Sequence, residues 1–290
     1  MKIMLLSKEI DRRVTMRNIF SGIAFAFFIV ACSNSGGDNA AASTTASAQG
    51  GQGGQNWTAR TMPSNSYWTS VTYGNATFVA VAYTTVAATS PDGITWTART
   101  LPSSSNWQSV TYGNGVFVAV ASGSAVAATS PDGITWTAQT LPSSNNWTSI
   151  TFANGTFIAF GVTALATSPD GVNWTAQSSP PISLNRGAYG NGVFVAISNG
   201  GNFFSATSAN GVTWTARIMP ASLTWGAVAY GNSTFVIAAS SNVAATSADG
   251  ISWTLRYLPI SASTASIAYG NSTFVAITES AGSNAAATSP

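Results

Sequence analysis

The chain has 290 residues, only 6% of them charged, with a formal net charge of +2, no histidine and a single cysteine, Cys32. An ordinary soluble domain carries about 25% charged residues. A histidine-ligated metal site, a Ser-His-Asp triad, a Cys-His pair and an internal disulfide are therefore impossible, and ten Lys and Arg are too few to neutralise a nucleic-acid backbone.

Lys2, Lys8, Arg12, Arg13 and Arg17 precede an apolar run from Ile19 to Val30. That run is too short for a membrane span, which takes roughly 20 residues, but suits the apolar core of an export signal over residues 1–31. Met16 could serve as the start as well as Met1. The signal ends in Ile29-Val30-Ala31-Cys32, which resembles the bacterial lipobox. The resemblance implies cleavage before Cys32, lipidation of Cys32 and a membrane anchor, since two or more acyl chains hold a protein stably. Ser33 after the cysteine implies the outer membrane or cell surface, by the same resemblance. An ordinary cleaved signal with an incidental cysteine is the alternative. Residues 32–55, rich in Gly, Ser, Ala and Gln, read as a flexible tether, whose end-to-end distance is about 25–30 Å. Without the signal, Arg60, Arg99, Arg186, Arg217 and Arg256 face Asp38, Asp92, Asp132, Asp170, Asp249 and Glu279. The net charge becomes −1, and no basic patch remains.

From residue 56 the chain repeats. Trp-Thr recurs at Trp57, Trp96, Trp136, Trp174, Trp214 and Trp253, and a marker Phe at Phe78, Phe117, Phe157, Phe194, Phe235 and Phe274. A period near 40 is the sign of a repeat architecture. In the first copy the expected strands are Thr69–Tyr73, Thr77–Ala82, Val86–Ser90 and Thr95–Thr100, with turns at Gly74-Asn75 and Asp92-Gly93. Nothing has the 3.6-residue period of a helix. Four antiparallel strands per copy make an all-β, six-bladed β-propeller over residues 56–290. The terminal Ala287-Thr288-Ser289-Pro290 begins a further copy of a box that Gly54-Gln55-Asn56-Trp57 would finish. The N-terminal strand 56–61 is thus expected to pair with the C-terminal blade and close the ring, which removes exposed sheet edges. An open solenoid, or part of a longer array, is the other possibility.

The boxes read SPDGITW at Ser90 and Ser130, SPDGVNW at Ser168, SANGVTW at Ser208 and SADGISW at Ser247. They resemble the Asp-box, or BNR repeat, of sialidase-type propellers, which recurs in photosystem II assembly factors and sortilin-like receptors. The family form has one more residue between Asp and Gly, and Asn210 replaces Asp in one copy. The carboxylate suits backbone N–H groups in a turn and the glycine a positive φ. Asp92, Asp132, Asp170, Asn210 and Asp249, with Trp96, Trp136, Trp174, Trp214 and Trp253, are accordingly read as structural staples. One carboxylate per turn is a poor Ca²⁺ cage, and no metal or cofactor is expected.

The sialidases that the boxes resemble use an arginine triad, a Tyr–Glu pair and an acid/base Asp. Here Arg60, Arg99, Arg217 and Arg256 all stand three residues after a box Trp, a framework position. With the box Asp engaged in turns only Glu279 remains, and glycoside hydrolysis normally needs two carboxyls. A non-catalytic binding module for a protein or glycan is the favoured reading; a glycan-active hydrolase and a passive surface protein are the alternatives. One copy departs from the pattern, with Arg186 near the place of Trp107 and Trp147, and with an irregular loop, Asn199-Gly200-Gly201-Asn202-Phe203-Phe204. Arg186, Asn202, Phe203 and Phe204 are the candidate binding residues, against neutral drift with local repacking. Trp68, Trp107, Trp147 and Trp225 are either a sugar-stacking ring or inter-blade core. The protein is expected to be a monomer, with the membrane and an unidentified protein or glycan as its partners.

Overall fold

The computed structural model describes residues 3–5, 58–178, 182–198, 204–239, 241–259, 264–270, 273–278 and 286–289. Every element among them is a strand. In the first repeat Trp68–Gly74 pairs antiparallel with Thr77–Ala82, which pairs with Thr84–Ser90, which pairs with the start of Thr97–Gly113. Val79 to Ala82 are buried without a break, as a strand covered on both faces requires. The marker Phe sits across from an aromatic in every repeat, from Tyr73–Phe78 at a centroid distance of 4.5 Å to Tyr269–Phe274 at 4.6 Å.

The hairpin turns fall one residue later than expected. Asn75-Ala76, with φ of 46° and 55°, and Asn114-Gly115, with 47° and 81°, are the turn residues. Two consecutive left-handed residues make the type I′ turn, whose twist matches that of the strands it joins. Gly74 instead ends its strand beneath a ring of the next repeat, where an added Cβ would lie 2.0 Å from Cγ of Tyr112.

Repeats one to three form one nine-stranded sheet, because Thr97–Gly113, Val116–Ser130 and Thr137–Ala153 run on where separate short strands were expected. The linkers between repeats stay extended there and pair, as Thr84↔Ser105 and Ser124↔Asn145. Repeats four and five are four-stranded sheets, and repeat six has three described strands, Thr264–Gly270, Thr273–Thr278 and Ala286–Ser289.

The core lies in the seams between repeats. Val79 and Val81 of repeat one pack with Phe117 and Trp136 of repeat two. Val118 and Val120 pack with Ile150 and Phe157, Phe160 with Phe194 and Trp214, Ile197 with Trp225 and Trp253, and Ala229 with Ile267 and Phe274. The cluster of Met62, Trp68, Val71, Ala80 and Trp96 draws on the N-terminal repeat alone. On that side Tyr73 is 39% exposed, while its equivalents Tyr112, Tyr189, Tyr230 and Tyr269 are half-buried.

The strand expected to close the ring is paired elsewhere. Thr58–Arg60 pairs with Ile3–Leu5, with Ala59 opposite Met4, and the sheet of repeat six does not include it. An unpaired edge accepts any available strand, and the apolar Ile3-Met4-Leu5 supplies one in the full-length chain. Asn56 and Trp57 lie outside the described residues.

Candidate ligand-binding site

The position eight residues before the marker Phe is held by Ser70, Ser109, Ser149, Arg186, Ala227 and Ser266. All six line one cavity, whose volume of about 430 Å³ includes open solvent. Each comes from the first strand of a different repeat, so the first strands of all six repeats reach this cavity. Side chains stitch neighbouring first strands together there. Thr69 Oγ1 donates to the Trp107 carbonyl at 2.8 Å, and the Val110 N–H donates to Ser70 Oγ at 3.2 Å. The Ile150 N–H donates to Ser109 Oγ at 3.2 Å, and Thr148 Oγ1 to the Asn185 carbonyl at 3.0 Å. Arg186 continues the series by donating from Nη1 to the Gly226 carbonyl of the following repeat.

Among the described residues Arg186 is the one charged residue on the cavity wall. It does not replace the tryptophan. Ten residues before Phe194, in the place of Trp107 and Trp147, stands Leu184, buried with Phe160 and Phe194. Arg186 takes the serine position two residues further on and lies opposite Ile197. Phe204, 40% exposed, begins the third strand of the same sheet. It lies at the same end as Arg186 but two strands out, roughly 10 Å away at normal strand spacing. Asn202, Phe203 and Cys32 lie outside the described residues. Trp68, Trp107, Trp147 and Trp225 are core: each is buried, and Nε1 of Trp107 donates to the Ser103 carbonyl at 3.2 Å.

The boxes occupy the other end of the strands. Asp132 Oδ1 accepts the N–H groups of Ile134 at 2.8 Å and Thr135 at 2.9 Å and the Ser130 hydroxyl at 3.0 Å. Ser130 Oγ accepts the Gly133 N–H at 2.8 Å, and Trp136 Nε1 donates to the Gly133 carbonyl at 3.1 Å. Asn210 builds the same turn, accepting Val212 and Thr213 N–H at 2.9 Å. The backbone N–H three residues on leads in holding the Asp92, Asp132, Asp170 and Asp249 carboxyls below the usual range; Ser and, at Asp170, Asn173 add to it. Four of the five boxes also touch the preceding repeat: a Cβ on Gly133 would lie 2.5 Å from Val79 Cγ2, and one on Gly171 the same distance from Val118 Cγ2. Among the described residues no cluster of three His, Cys, Asp or Glu side chains gathers.

On the outer strands Arg99 Nε donates to Thr89 Oγ1 at 3.0 Å, Gln139 to Thr129 at 3.0 Å, Gln177 to Thr167 at 2.7 Å and Arg217 to Thr207 at 2.9 Å. Arg60, at the equivalent position, has a buried Nε with no partner. The serine ring was missed from the sequence, although counting back eight residues from each marker Phe finds it.

The family described as DUF6242 beta propeller domain has a model that matches residues 99–225. No curated protein matches the sequence. Solved structures are similar in fold. Virginiamycin B lyase from Staphylococcus aureus is 14% identical with a TM-score of 0.69, covering 77% of this chain and 82% of its own. A structure of the same lyase with quinupristin, described as catalytically inactive through a histidine-to-alanine change, has a TM-score of 0.64 at 13% identity, covering 72% and 76%. A structure titled "YCF48 bound to D1 peptide" has a TM-score of 0.60 at 18% identity, covering 74% and 76%. At such identities the likeness establishes a propeller fold.

Proposed function

We propose that this chain is an exported lipoprotein whose six repeats close into a six-bladed propeller and act as a non-catalytic binding module. Cys32, acylated after the signal is removed, would hold it in the cell envelope, and residues 33–55 would tether the propeller. The observation that carries the binding reading is the axial cavity, to whose wall every repeat contributes and in which one guanidinium, that of Arg186, stands among uncharged side chains. A cavity with a few convergent polar groups is the usual form of a ligand site. Phe204, with Asn202 and Phe203 of the same loop, would extend contact beyond the cavity mouth.

Two observations support closure. Ala286, Ala287 and Thr288 stand in register with Ala87, Ala88 and Thr89, since Phe274 faces Ser289 as Phe78 faces Ser90. Thr58, Ala59 and Arg60 are the counterparts of Thr97, Ala98 and Arg99. Closure would bring the unpartnered Arg60 Nε to Thr288 Oγ1, the bond that the outer strands of repeats one to four already make. The non-catalytic reading rests on the chain's own chemistry. A lyase of similar fold is described as inactive once a histidine is replaced, and this chain has no histidine.

The test is a panel of immobilised glycans and peptides probed with the mature protein. Saturable binding that Arg186→Gln and Phe204→Ala each weaken is expected. Turnover of a glycan, or no saturable binding across the panel, would refute the reading.

A further inference from the structure

We infer that Tyr67 and Tyr83 form a stacking platform beside the axial cavity and that the ligand is a neutral glycan; this names the ligand class and rests on the reading of the cavity as the binding site. Both tyrosines are out of pattern. Eleven residues before the marker Phe, the other repeats carry Asn106, Asn146, Ser183, Thr224 and Ser263 in place of Tyr67. Five residues after it, they carry Ser122, Val162, Asn199, Ser240 and Glu279 in place of Tyr83. The two exceptions stand together. Their ring centroids are 5.9 Å apart with the planes 35° from parallel, and the Tyr83 N–H donates to the Tyr67 carbonyl at 3.1 Å.

A third exception ties this pair to the cavity. One residue before the serine position, Thr69 and Thr148 each donate to a carbonyl of the following repeat. Gln108 holds the same position and lines the cavity, but it reaches back and donates from Nε2 to the Tyr83 hydroxyl at 3.2 Å. That bond joins repeats one and two and holds Tyr83 next to the cavity wall. Tyr67 lies three residues before the cavity-lining Ser70, about 10 Å away at normal strand rise. It is 51% exposed, whereas Trp68 beside it is buried and out of a ligand's reach.

The chemistry of this corner is that of sugar recognition. An aromatic ring has an electron-rich face, which attracts the C–H groups on one side of a pyranose. A pyranose also carries adjacent hydroxyls that both donate and accept. The Gln108 amide offers a donor and an acceptor side by side, and the hydroxyls of Ser70 and Ser109 can do either. These three wall residues are uncharged, so the surface next to the platform matches a ligand without charge. Tyr83 holds Gln108, and the Ile150 N–H holds Ser109, which lowers the ordering cost of binding. A proline-rich peptide also packs on tyrosines, but it docks along aromatic-lined grooves. Here the aromatic pair gives way at once to amide and hydroxyl groups.

The mature protein is titrated by calorimetry with cellohexaose, chitohexaose and mannohexaose, and separately with proline-rich peptides. At least one hexasaccharide is expected to bind saturably, with an affinity that does not change as salt is raised, because the ligand carries no charge to screen. Tyr67→Ala should weaken that binding about tenfold while Tyr67→Phe keeps it within about twofold, since the ring face and not the hydroxyl makes the contact. Should Tyr67→Ala fail to fold, Tyr67→Leu repeats the test with an apolar side chain that has no π face. Hexasaccharide binding that ignores the loss of the Tyr67 ring, or that falls with salt, overturns the inference. Saturable binding of the peptides alone overturns it too, but leaves the binding module standing. No saturable binding to either set overturns both.

Discussion

Replacing Gly133 with alanine, beside the same change at Gly115, isolates the contact between neighbouring repeats. Both residues are left-handed, at φ of +75° and +81°, where an L side chain costs about 1–2 kcal/mol. At Gly115 the new Cβ meets nothing within 4 Å, so that backbone cost is the whole effect. At Gly133 the Cβ would stand 2.5 Å from Val79 Cγ2 and 3.3 Å from Thr89 Cγ2, both on repeat one. Val79 is completely buried on a strand covered on both faces and cannot move aside. Overpacking of that kind adds about 1–3 kcal/mol. Gly115→Ala should therefore lose about 1–2 kcal/mol and Gly133→Ala about 2–5 kcal/mol. Urea unfolding followed by tryptophan fluorescence reads both from the shift in midpoint at constant m. Equal losses would mean that the box turn does not bear on the preceding repeat, and the seam as the site of the core would be refuted.

Ala76 and Ser233 hold left-handed turn positions, at φ of 55°, that are glycine in three other repeats; glycine at either should raise stability by about 1 kcal/mol in the same assay. Gly93 meets only Phe78 of its own repeat among its three nearest atoms, at 3.5 Å. In a closed ring it would instead press on repeat six, so Gly93→Ala should match Gly133→Ala in cost, whereas a cost like that of Gly115→Ala would speak for an open seam. Acid should unfold the protein through the box carboxylates. Their folded pKa values lie below the unfolded value of about 3.9. Their contribution is thus complete above that value and fades as pH falls through the folded ones. The urea midpoint should drop below about pH 4, and less steeply in Asp170→Asn, which copies the natural Asn210 turn; an unchanged midpoint down to pH 2 would contradict this.

The repeat period, the strands and the box turns were legible in the sequence because each rests on local chemistry: Asn-Gly for type I′ turns, Ser and Asp for the box, aliphatic runs for covered strands. The Gly74-Asn75 turn was placed one residue early because Gly74 looks like a turn residue. Its real constraint is the Tyr112 ring of the next repeat, which only packing reveals. Arg186 stood out in the sequence as an irregularity, but alignment on tryptophan set it beside Trp107. Strand pairing assigns that place to Leu184 and puts Arg186 on the axis. The serine ring went unnoticed because Ser is common throughout the chain, and six residues about 40 apart become one site only when the repeats turn about a shared axis. The pairing of Thr58–Arg60 with Ile3–Leu5 could not be foreseen from repeats, since residues 3–5 lie outside them.

Closure of the ring is tested most directly by a cysteine pair, Ala59→Cys with Ala287→Cys, in the protein freed of its signal. Their counterparts Ala98 and Ala88 are cross-strand partners in repeat one, and directly opposed residues have Cβ atoms about 4.5–5.5 Å apart, close enough for small backbone adjustments to form a disulfide. Cys32 is the only native cysteine, so a new intramolecular bond is unambiguous by mass spectrometry. A closed six-bladed propeller gives rapid, complete oxidation within the monomer and a higher melting temperature. Two thiols that stay free under oxidising conditions, or that link only between molecules, would contradict it.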